Sequence, residues 1–127
     1  MGWKARFPTL AAALWWGSLT AIGFVAVPLL FANLATPAMA GQMAAKLFTA
    51  QAWMSIVCGL LILIAQGKPN ALVVAGVLLA LLGEFAVAPR IVARQDLALW
   101  HTVGTVFYGL QWVCALVALW KLSARSS

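Results

Sequence analysis

Glu84 is the residue whose type and position most demand explanation. It and Asp96 are the two acids of the chain, and Glu84 stands inside the apolar stretch from Ala71 to Val92. A carboxylate there is costly unless it is protonated, paired or wetted, so the chemistry open to it is ion pairing, proton exchange or contact with a substrate. Its candidate partners are Arg90, Arg94 and His101. Arg90 follows after about 600° of helical rotation and so leaves Glu84's face, unless Pro89 bends the chain between them. Arg94 falls about 80° short of whole turns, and its long side chain can fold back. His101, the single histidine, enters the next apolar run from the same side. The expected arrangement is a polar cluster of Glu84, Arg94 and His101, with Arg90 beside it, near the outer leaflet. The alternative is that these side chains orient and fasten a hairpin without chemistry.

Other chemistry has less to draw on. Cys58 and Cys114 both lie in apolar runs, where they are either small hydrophobes or, meeting at similar depth, a site for a soft ion such as Cu(I). One histidine cannot supply both axial ligands of a bis-histidine haem. The chain has no glycine-rich phosphate loop, nucleophile elbow or carboxylate pair. It is therefore not expected to be an enzyme, and no catalytic residue and no cofactor are assigned.

The elements that must position these residues are set by composition. Of 127 residues, 65% are hydrophobic and 8% charged, against roughly 25% charged in a soluble domain. At about 20 residues per crossing the length accommodates four membrane spans. Apolar runs cover about 7–34, 38–65, 71–92 and 97–122. They are broken by turn chemistry at Asn33 to Pro37 and Gln66 to Asn70, and by charge from Arg90 to Asp96. Their length and continuity exclude alternating barrel strands. The fold expected is all-α: an integral membrane four-helix bundle built from two antiparallel helical hairpins in a single domain.

Cation placement sets the orientation. Lys4, Arg6, Lys68, Lys121 and Arg125 share the side of both termini, against Lys46, Arg90 and Arg94 on the other, which favours both termini in the cytoplasm. The net charge of +6 is thus read as orientation, with the bilayer and not nucleic acid as the partner. Trp3 and Trp120 suit the inner boundary and Trp100 the outer one. The segment Ala38 to Gly41 resembles a signal-peptidase site, but the run before it, about 25 residues, exceeds a signal h-region of about 7 to 15. The first span is expected to be retained.

In lipid, small and polar residues mark the faces that meet. Gly17 with Ala21, and Gly76 with Ala80, form small-residue pairs one turn apart. Gln51, Ser55 and Cys58 recur at helical spacing on the second run, as do His101, Thr105, Tyr108 and Trp112 on the fourth. Both polar stripes are expected to face the bundle interior. Pro28 and Pro89 each end a short related motif, Gly23 to Pro28 and Gly83 to Pro89, as if two hairpins were repeated in parallel. Each proline removes a backbone donor and is expected to kink or end its helix.

The order of these motifs resembles a known family. Leu14-Trp-Trp-Gly17, Gly23-Phe-Val-Ala-Val-Pro-Leu-Leu-Phe31, Ala40-Gly41 with Leu47-Phe48, and then Pro89, Arg90, Arg94 and Leu99-Trp-His101 resemble the bacterial branch of the transmembrane protein 205-like family, a membrane domain of unknown function. The resemblance covers nearly the whole chain and implies the same four-span order. Around the histidine this chain carries Trp100, Thr102 and Gln111, where the family often has other residues. The family is distantly similar to copper-resistance D membrane domains, which implies copper handling by analogy alone. The function expected is a non-enzymatic membrane protein, transport-related or an assembly partner, as a homo-oligomer or with another membrane protein. The alternative is a redox or metal-handling component binding haem, quinone or copper.

Overall fold

The four apolar runs fold as four helices, each long and apolar enough to cross a bilayer: Trp3–Asn33, Pro37–Gln66, Ala71–Val92 and Leu97–Ala124, the last continuing helically to Ser126. The computed structural model describes the backbone of residues 2–126 and the side chains of residues 2–124. The side chain of Arg125, counted above among the cations, lies outside the described residues.

Local chemistry sets the helix ends. Thr36 caps the second helix, its Oγ1 accepting from the Met39 amide at 3.1 Å, with Pro37 in the first turn. Gly67 ends that helix in the left-handed conformation, φ 65°, which a residue without Cβ adopts freely. Asn70 caps the third helix through Val73 and also donates to Gln66 Oε1 at 3.1 Å. The last connection has no glycine. Arg94 and Asp96 take positive φ there, 57° and 37°, and the turn is closed by Gln95 N donating to Arg90 O at 3.0 Å.

Consecutive helices pack as neighbours and the fourth closes on the first, giving the expected up-and-down bundle. The main core sits toward the end that carries both termini. It joins Ala12, Trp15 and Leu19 of the first helix, Cys58 and Ile62 of the second, Val73 of the third and Ala115 and Ala118 of the fourth. Toward the distal end the buried residues belong to the second and third helices, Ala40, Ala44 and Val87. The first helix has no buried residue beyond Leu19, and on the fourth the first buried residue is Gln111.

Both prolines are passed without a break. The first helix turns π-helical over Ala21–Ala26 and the third over Gly83–Val87, each resuming as α-helix with its proline in the first turn. A proline ring collides with the carbonyl four residues earlier, which is Phe24 for Pro28 and Phe85 for Pro89. Widening the turn before the proline gives that carbonyl room. The two related motifs therefore share a backbone conformation as well as a composition.

One expected contact face is corrected. Gly17 and Ala21 are exposed, and nothing surrounds Gly17, because Gly17 lies about 200° around the helix from Trp15. The first helix turns the large Trp15 and Leu19 inward instead. Gly76 and Ala80 are buried as expected.

Candidate functional site

Glu84 occupies the first turn of the π-helical segment Gly83–Val87 on the third helix. Its carboxylate is half-buried and accepts a hydrogen bond at 2.8 Å from the hydroxyl of Thr49, on the second helix. The partner is thus a neutral hydroxyl donor. Beside this pair the rings of Trp53 and Phe85 meet edge to face at 6.4 Å between centroids, and Lys46 is exposed three residues before Thr49. The site is a seam between two helices, open on one side.

The expected cluster with Arg94 and His101 does not form. Arg94 and His101 are exposed. Arg94 is held in the turn by its left-handed backbone, and among the described residues neither reaches the carboxylate. Arg90 leaves Glu84's face as the rotation required. Its guanidinium bonds to the Ala86 carbonyl and lies 4.8 Å from the centroid of Trp100, clasping the third helix to the fourth.

The interior polar stripe is present on the second helix. Gln51, Ser55 and Cys58 are all buried. The Gln51 amide donates to Ser18 Oγ at 3.0 Å and to Ser55 Oγ at 3.3 Å, and Ser18 donates to the Trp15 carbonyl at 2.9 Å. Trp15 Nε1 in turn donates to Gln111 Oε1 at 3.4 Å. A polar layer so linked satisfies groups that would otherwise be stranded in an apolar interior.

On the fourth helix the stripe is corrected at its distal half. His101 and Thr105 are exposed, and Thr105 donates to the His101 carbonyl of its own helix. His101 lies only about 20° from Tyr108 in rotation, so its face is right, but at that level no neighbouring helix covers it. Tyr108 does face inward. Its hydroxyl donates to the Leu19 carbonyl at 2.6 Å, beside the start of the first π-helical segment, while its ring packs on Phe48 at 5.4 Å. Trp112 Nε1 donates to Thr20 Oγ1 at 2.9 Å.

Thr49, Ser18 and Gln111 carry this polar network without having been selected from the sequence as site residues. Gln111 is three positions after Tyr108 and Ser18 three after Trp15, which was signal enough to find them. Thr49 is about 200° from Gln51 and points to a different neighbour, so no single stripe contained it. Among the described residues, no group of three or more His, Cys, Asp and Glu side chains could hold a metal ion. Cys58 packs in the hydrophobic core, and Cys114 lies across from Gly76.

A family model for a domain of unknown function, DUF4149, matches residues 10–99. The match takes in the first three helices almost whole, with both π-helical segments, Thr49 and Glu84. Comparison with curated proteins and with solved structures gives no match.

Proposed function

Because the chain belongs to the DUF4149 family, whose domain has no known function, we propose that this integral membrane protein is a non-enzymatic assembly partner, its distal half forming the docking surface. The observation that carries this reading is the Glu84–Thr49 pair, a carboxylate held in a half-buried seam that is open on one side. The core at the terminal end is filled by Trp15, Leu19 and Ile62. The distal half turns Phe85 and Val92 outward on the third helix, which also carries Glu84 of the half-buried Glu84–Thr49 pair. A second copy of this chain or another membrane protein would cover that surface, with a hydrogen bond to Glu84 adding selectivity. We place the protein in the bacterial inner membrane on its resemblance to a bacterial family, with both termini in the cytoplasm on the cation count. A photo-crosslinking side chain at position 85 should yield a discrete protein adduct in native membranes, and one at the exposed Ile64 lipid adducts alone. Lipid adducts alone from position 85 would sink the reading.

Glu84 itself favours a second reading, in transport, because a carboxylate within a span marks ion and proton pathways in many membrane proteins. Under it, Glu84→Gln abolishes flux while the folded protein stays in the membrane. Unchanged flux counts against it. A metal-handling alternative rests on the distant likeness to copper-resistance D domains, by analogy alone. An optical spectrum and metal analysis of gently purified protein test that alternative.

A further inference from the structure

We infer that the terminal end of the bundle binds the phosphate of an anionic phospholipid headgroup between Lys4, Lys68 and Lys121. Two adjoining cavities open there, of about 270 and 300 Å³. Lys4 lines the first and Lys121 the second, while Lys68, Gln66 and Leu122 line both. Three lysines from three different parts of the chain thus line two hollows that share Gln66, Lys68 and Leu122.

Among the described residues, no acidic side chain lies at this end. The two acids, Glu84 and Asp96, belong to the distal half of the third helix and to the turn after it. The first and third helices begin at the terminal end with no acidic residue in their first turns, while the second and fourth helices end there, so the helix dipoles at this end offset one another and the lysines set the sign of the field. The frame that carries the lysines is built. Asn70 bonds to Gln66 across the connection, Gly67 closes the second helix, and Thr9 Oγ1 donates to the Leu122 carbonyl at 3.3 Å, tying the first helix to the fourth.

The level of the site selects a lipid over a dissolved anion. Trp3 and Trp120 stand beside it, 71% and 75% exposed, as indoles do at the headgroup boundary of a span. The cavity walls also include Pro8 and Ala65, which offer apolar contact to the glycerol and upper acyl region. Basic pockets between helices at this depth recognise anionic headgroups, each lysine near the surface contributing by its charge. This goes beyond the assembly reading and does not depend on the distal seam.

The test uses the full chain in a mild neutral detergent. Binding of phosphatidylglycerol, phosphatidylcholine and inorganic phosphate is measured by native mass spectrometry and by thermal shift. Phosphatidylglycerol is expected to bind about tenfold more tightly than phosphatidylcholine, and the preference should shrink as salt rises. The double variant Lys68→Gln/Lys121→Gln should lower the preference to about threefold or less, whereas Lys46→Gln, a cation at the other end, should keep it. Equal binding of the two lipids by the unaltered chain overturns the proposal whether or not any variant folds. So does a preference unchanged in the double variant. Inorganic phosphate competing at the same concentration as the lipid would assign the site to a free anion and overturn the lipid assignment.

Discussion

The Trp15 indole fills the space in which a side chain on Gly76 would stand. The first and third helices, opposite each other in the bundle, therefore meet through one aromatic ring and one bare stretch of backbone. Trp15 is fully buried and its Nε1 is held by Gln111, so the ring has little freedom to retreat.

Gly76→Val should accordingly destabilise the bundle by about 1–3 kcal/mol through overpacking. Gly17→Ala, with open space around it, should cause no loss and gain up to about 1 kcal/mol from helix propensity. Reversible unfolding in mixed micelles distinguishes the two. Equal losses would mean that Trp15 does not occupy the site assigned to it.

Tyr108 joins the fourth helix to the first near the start of a π-helical segment. Tyr108→Phe removes the hydroxyl bonded to the Leu19 carbonyl and should cost about 1 kcal/mol. Gly23→Ala should cost more, because the added methyl runs into the Tyr108 ring, which also packs edge to face on Phe48. The same unfolding measurement checks the order; a larger loss for Tyr108→Phe would contradict it.

At the Glu84 seam, a double-mutant cycle of Thr49→Val and Glu84→Leu should give a coupling of about 1 kcal/mol, since one hydrogen bond links the pair. Glu84→Gln keeps a carbonyl acceptor and should preserve folding. A coupling near zero would show that the two side chains do not meet.

Gln51→Leu should be among the costlier polar substitutions, by about 1–3 kcal/mol, because it strips donors from buried Ser55 and half-buried Ser18. Gln95→Leu, on the exposed distal turn, serves as the control and should change stability by no more than about 0.5 kcal/mol. Similar losses at both positions would argue against a linked polar layer.

Much of the architecture was legible in the residues. The boundaries read for the third span and the start of the fourth coincide with the helices found, because proline, asparagine and clustered charge break apolar runs without help from tertiary contacts. Gln51, Ser55 and Cys58 were placed correctly by rotation alone. Thr49 was not found, since a threonine on a helix is unremarkable until the opposing helix delivers a carboxylate to it. His101 was misplaced for a different reason. Rotation gave its face correctly, but cover depends on how closely helices approach at that depth.

Sequence alone determined that this chain spans a membrane, where it turns, and that Glu84 is an exceptional residue, because hydropathy, backbone hydrogen bonding and turn propensity act within one segment. The fold decided what Glu84 touches, which glycines admit aromatic rings, and that three distant lysines line two adjoining hollows. Those are relations between segments, and they exist only after the helices have packed. Pro28 and Pro89 stand between the two cases. The residues called for a disturbance in the helix, and the backbone answered with a π-helical turn that carries Glu84 to the seam.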